Sequence, residues 1–261
     1  MERMIFRPNS RHMHYPGIRR VTFDSPWAWL REGLADLRRC WPISLAYGLV
    51  FAVLGYLLVN YAWTQMHVAM VLTSGFLLLA PFLALGFYDL SRQLDLGLRP
   101  SLRHTFAAWR ENGGSIGLFG ALLMIALIGW ERLSAILVAL FMTGNPPAVE
   151  NLFGEVIASG EHTAFLIAYV LFGALLAAVV FALSVVTLPM LLDRKVDTGT
   201  AMMTSLWAVR ENPWVMLQWA VIIVVLIAVG YATWFIGLVF FFPLLGHATW
   251  RAYRELIEPA A

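Results

Sequence analysis

Few residues in this chain have the type and placement to do chemistry. The ionisable groups within or beside long apolar stretches are Asp89, Asp193, Arg194 and His247, the neighbours Glu131 and Arg132, and the histidines His67 and His162. A pair of histidines on facing helices at one depth would ligate a haem. His67 and His162 fall near one side of the apolar segments and His247 near the other, so the spacing assembles no such pair. The sequence has no glycine-rich phosphate loop, no H-E-x-x-H and no D-x-D pair. The lone cysteine, Cys40, excludes an internal disulfide, and no Cys/His cluster has metal-ligand spacing. The expectation is a protein that is not an enzyme and carries no catalytic residue, cofactor or metal.

Asp89, Asp193, Arg194 and His247 share one context. Each follows a proline near the end of an apolar run, Pro81, Pro189 or Pro243. A proline within a helix removes a backbone hydrogen bond and kinks it. If the three runs are arranged about a pseudo-axis, these four residues converge on a shallow polar pocket facing the cytoplasm. The alternative is that proline and glycine merely shape close packing, while Asp89, Asp193 and His247 are boundary residues paired with nearby arginines. Glu131 and Arg132 interrupt another apolar stretch. Counted along a helix from Gly114 they come about 27 Å later, near the outer interface, where both side chains reach water.

The surroundings of these residues follow from composition. Hydrophobic residues make up 60% of 261 and charged residues 13%, about half the charge of a soluble domain. With a mean hydropathy of +0.73, most of the chain requires lipid as its solvent, and only helices or closed barrels satisfy their backbone there. An integral membrane protein is expected.

A threefold repeat organises it. An amphipathic run with apolar residues at i, i+4 and i+7 ends in an arginine and a helix breaker, and a long apolar hairpin follows. The copies are Leu30, Leu34, Leu37, Arg38 before Trp41-Pro42; Leu102, Phe106, Trp109, Arg110 before Gly113-Gly114; and Met202, Leu206, Val209, Arg210 before Asn212-Pro213. Ser25, ahead of Pro26, and Ser101 are candidate helix caps. Such helices lie in the interface, with Arg31, Arg38, Arg39, Arg103, Arg110 and Arg210 against head groups. Trp27, Trp29, Trp41, Trp109, Trp207, Trp214 and Trp250 form an aromatic belt at the same boundary.

The fold class expected is therefore all-α: a polytopic membrane helical bundle of six transmembrane helices, arranged as three pseudo-repeated hairpins, each preceded by an interfacial amphipathic helix. The spans are 42–62, 67–90, 114–136, 164–192, 213–230 and 233–250, with a tight turn near Gly230 between the last two. The repeats cover about 25–90, 100–192 and 200–252 of a single membrane domain, 25–257. A basic arm, 1–24, is expected to be flexible and to lie near anionic lipid rather than nucleic acid, and 258–261 forms a tail. Seventeen of the 18 cations fall in 1–41, the two connections 91–113 and 193–212, and the C-terminal end at Arg251 and Arg254, while 143–163 carries no Lys or Arg but Glu150, Glu155 and Glu161. The positive-inside rule then places both termini in the cytoplasm, in a bacterial inner membrane.

The stretches Ala80 to Arg92, Ser184 to Arg194 with Ala208 to Pro213, and Pro243 to Arg254 resemble a bacterial integral membrane family of unknown function, domain-of-unknown-function family 2189. The resemblance runs from about Trp29 to Ile257. Some members are labelled cytochrome c oxidase subunits, which implies proximity to respiratory complexes. No catalytic residue carries over. Two functions remain open: an accessory, assembly or scaffold protein whose partners are membrane lipids and other subunits of a membrane complex, or a transporter or channel for a small solute. The oligomeric state is left open.

Overall fold

The computed structural model describes residues 5–6, 15–62, 84–141 and 163–259. His67, His162, Pro81, most of the expected span 67–90 and the acidic residues of 148–161 lie outside them. Ten helices follow in order among the described residues: α1 (Ser25–Arg39), α2 (Trp41–Ala62), α3 (84–95), α4 (Leu102–Glu111), α5 (Gly113–Phe141), α6 (Thr163–Ser184), α7 (Thr187–Asp193), α8 (Thr198–Glu211), α9 (Pro213–Ala232) and α10 (Leu238–Leu256). Two short strands, β1 (Ile5–Phe6) and β2 (Ile18–Arg19), pair antiparallel, with Ile5 opposite Arg19 and Phe6 opposite Ile18.

Each amphipathic run is a helix, and each gives way to an apolar helix through a single residue. These are Cys40 (φ −127°, ψ 30°), Asn112 (φ −128°, ψ 32°) and Asn212 (φ −131°, ψ 48°). The three junctions share one backbone conformation. At the first of them the chain turns by 103° between α1 and the helix beginning at Trp41. The helix starts differ from expectation in detail. Ser25 is the first residue of α1, and its hydroxyl accepts from Thr22 N at 3.3 Å. Ser101 does sit at the cap of α4, yet its own N–H donates to Gln93 Oε1 at 2.8 Å rather than its hydroxyl capping the helix.

Among the described residues three helices are long and apolar enough to cross a membrane: α5, the α6–α7 pair over Thr163–Asp193, and α9; the bent pair α1 and Trp41–Leu57 makes a fourth if taken as one span. The helix of the sixth expected span, 233–250, is α10, which begins at Leu238 and runs past the span to Leu256; from Pro243 onward most of its side chains are buried against the rest of the protein. The side chains of α6 and α9 are the reverse. Ile167, Val170, Leu171 and Val224 are all more than 60% exposed, an apolar surface that water would not tolerate.

Proline acts on the backbone where steric reasoning places it. The chain leaves helical geometry at Val185 and Val186, between α6 and α7, where the ring of Pro189 would meet the carbonyl four residues back. Around Pro243 α10 continues as one helix. The carbonyl of Val239 there lies so close to Gly48 that a Cβ would come within 2.5 Å of it. Small residues also seat α10 against α1 and α3: a Cβ on Gly33 would lie 2.6 Å from Ala248 N, and one on Gly246 2.6 Å from Phe87 Cβ.

The turn between α9 and α10 falls at 233–237, three residues beyond the glycine expected to make it. Thr233 Oγ1 donates to Gly230 O at 2.9 Å and accepts from Gly237 N at 2.9 Å, holding Trp234 (φ 54°) and Phe235 (φ 67°) in the left-handed region. Gly230 instead lets Leu238 pack onto α9. The arm expected to be flexible is anchored at its end. Ile18 is fully buried and bridges to Ile257; Gly17 O accepts from Glu258 N at 2.9 Å; and Asn212 clasps the arm through Val21 N (2.9 Å) and Arg19 O (3.1 Å).

Candidate functional site

One buried polar network joins α1, α2, α3, α7 and α10. Its inner half is built by residues four apart, which share a helix face: Asp36, Cys40 and Ser44 across the first junction, Ser91 and Asp95 on α3, His247 and Arg251 on α10. His247 is fully buried, with Ser91 Oγ 2.7 Å from Nδ1 and Ser44 Oγ 2.9 Å from Nε2.

The direction of the chain can be assigned from its far end. Arg251 donates through Nε and Nη2 to the two oxygens of Asp36, both at 2.7 Å, so Asp36 is a carboxylate and only accepts. Ser91 Oγ therefore donates to Asp36 Oδ2 at 2.8 Å. Its oxygen then accepts from His247 Nδ1–H, which leaves Nε2 to accept from the Ser44 hydroxyl. Cys40 closes the group by donating its thiol to Asp36 O at 3.1 Å.

This order of serine, histidine, relay and aspartate resembles that of an acyl-transfer triad. Ser44 and His247 nevertheless have no accessible surface, so a substrate has no approach to the hydroxyl. What the arrangement achieves is attachment: it fastens α1 and α3 to α10.

The outer half runs on from Arg251. Its Nη1 donates to Asp95 Oδ1 at 2.7 Å, and Trp250 Nε1 donates to Asp95 Oδ2 at 2.9 Å. Burial alone would lower the pKa of Arg251, but Asp36 and then Asp95 hold it above its ordinary value. Arg254 spans from Asp95 to Asp193, 3.8 Å from each. Tyr253 donates its hydroxyl to Asp193 Oδ2 at 2.8 Å and receives Arg194 Nε at 2.9 Å. Burial, then the charge of Asp193, pushes the Tyr253 phenol well above its usual range. Arg194 also donates to Glu258 O. Arg92 lies 3.6 Å from Asp193 and 3.9 Å from Asp89, whose Oδ2 accepts from Gln93 at 2.6 Å and Thr105 at 2.8 Å.

The structure thus places Asp89, Asp193, Arg194 and His247 on one connected network, paired with arginines and hydroxyls. Glu131 and Arg132 stand apart from it on α5, Arg132 exposed and Glu131 partly so. The sequence reading missed Asp36, Ser44, Ser91, Asp95 and Arg251. The signal that marks them is their four-residue spacing, which puts each set on one face of its helix. Among the described residues no group of three or more histidines, cysteines or carboxylates is placed to hold a metal ion.

No curated protein and no solved structure matches the chain. Residues 68–193, which carry Asp89, Asp193 and the junction at Asn112, match the family described as predicted integral membrane protein (DUF2189). With its apolar, lipid-length helices, the chain is an integral membrane protein, and over residues 68–193 it is similar to this family.

Proposed function

We propose that this is a non-enzymatic membrane protein that acts as an accessory, assembly or scaffold subunit of a larger membrane complex. One observation carries the reading: the polar network is spent on itself. Four arginines (Arg92, Arg194, Arg251 and Arg254) and four aspartates (Asp36, Asp89, Asp95 and Asp193) neutralise one another. Both nitrogens of His247 are already bonded. A transporter keeps polar groups near the midplane for its solute, whereas here they bind helices together.

The same reading takes the chain as three helical hairpins with six crossings in a bacterial inner membrane and both termini cytoplasmic. Its support is the shared conformation of Cys40, Asn112 and Asn212 and the distribution of cations. Exposed Arg31, Arg38, Arg39, Arg103 and Arg110 then meet anionic head groups.

Purification of the full chain in mild detergent, followed by mass spectrometry, tests the reading. Stoichiometric membrane-protein partners are expected. A lone protein that moves a solute across liposomes, and loses that activity when Asp193 or His247 is replaced, would establish the transporter instead.

A further inference from the structure

Beside the network, on the opposite face of α1, an open groove of about 590 Å³ separates α1 from α9. Phe23, Trp27 and Leu30 form one wall, and α9 from Trp214 to Leu226 forms the other. Gln218 is the one polar residue in the lining, and with its amide oriented as its neighbours require it is fully committed, donating to Phe23 O at 3.1 Å and accepting from Trp27 Nε1 at 3.2 Å. The groove therefore offers a ligand shape and apolar contact, with no hydrogen bond to satisfy.

Its length and setting identify the occupant. Trp214 to Leu226 rises about 18 Å along α9, close to the roughly 15 Å of hydrocarbon in one leaflet. The groove begins at the first turn of a membrane-crossing helix, between two indoles, Trp27 and Trp214, that are 55% and 69% exposed. Indoles in that position sit at the head-group boundary. A chain entering between them and running along α9 stays within one leaflet. A second protein helix would need about 10 Å of width and would bring polar backbone ends to a lining that offers them no partner.

We propose that this groove seats one acyl chain of a phospholipid as a bound lipid that fills the space between α1 and α9. The lipid is held by contact along two walls, so the head group has little influence on its retention.

Native mass spectrometry of the full-length protein in mild detergent, supplied with palmitoyl-oleoyl phosphatidylglycerol or the matching phosphatidylethanolamine, tests this. One phospholipid of either kind is expected to remain on each wild-type chain. Val221→Trp fills the groove and should reduce retention at least tenfold, while Val170→Trp on the outward face of α6 should leave it unchanged. If Val221→Trp does not fold, Leu30→Trp fills the groove from the opposite wall and is read in the same way. Equal retention by wild type and the groove-filling variant would overturn the proposal, as would loss of lipid from Val170→Trp or a wild-type chain that keeps no lipid.

Discussion

Asp36 and Arg251, 215 positions apart in sequence, meet through two parallel hydrogen bonds of 2.7 Å, and Asp36 has only 2% of its surface exposed. A buried pair of this geometry need not be worth more than well-packed apolar residues, but losing one partner leaves the other charge stranded. Arg251→Ala should therefore destabilise the protein by about 3–5 kcal/mol. Arg251→Lys keeps the charge, loses the fork and should fall in between. Thermal denaturation in detergent would show the order, and a double variant that also carries Asp36→Asn should recover part of the loss.

Glycine substitutions should separate contact from propensity. A Cβ at Gly33 would stand 2.6 Å from the backbone nitrogen of Ala248, an atom that trimming a side chain cannot move. Gly33→Ala should cost about 1–3 kcal/mol, and Ala248→Gly should not rescue it. Gly117 on α5 has nothing within 4 Å of the same construction. There Gly117→Ala should be neutral or stabilise by up to about 1 kcal/mol through helix propensity. Melting temperatures of the three variants decide the matter.

Asp197 caps α8 by accepting from Thr200 N at 2.9 Å. The Thr200 hydroxyl and then the Thr200 N–H hold its carboxyl below the usual range. A depressed carboxyl contributes stability that is fully present above the unfolded pKa, about 3.9, and is lost as pH falls through the lower folded value. Asp197→Ala should cost about 1 kcal/mol at neutral pH. The difference from wild type should shrink below about pH 4, as read from melting curves taken across the acid range.

Cys40 is buried, which gives a quiet background for labelling. A cysteine at Arg99, in the exposed turn after α3, should react with a membrane-impermeant maleimide only in inverted vesicles. One at Trp234, 77% exposed in the turn after α9, should react from outside intact cells. Reaction of position 99 from outside would reverse the proposed orientation.

Local signals made much of this molecule legible. The period of the amphipathic runs, and the breakers at Trp41-Pro42, Gly113-Gly114 and Asn212-Pro213, mark where α1, α4 and α8 end, because propensity and sterics act over a few residues. The polar network was harder to see. Asp36 sits on a helix rich in arginine and looks like a surface charge until α10 is laid against it, and only tertiary packing brings Arg251 there. The turn after α9 escaped for the opposite reason. Sequence logic assigns left-handed backbone to glycine, whereas here Trp234 and Phe235 adopt it under the hold of the Thr233 side chain.

The distance along the chain between Asp36 and its guanidinium has a consequence for synthesis. At 5–20 residues per second, roughly 10 to 40 s separate the two as they leave the ribosome. Through that interval the first helix is without the partner that neutralises its carboxylate, so water must keep the group solvated and α1 cannot settle into its final seat. The membrane-length helices α5, α6 and α9 are all synthesised before the last helix arrives to lock the first, so the native packing is sealed from the late end of translation.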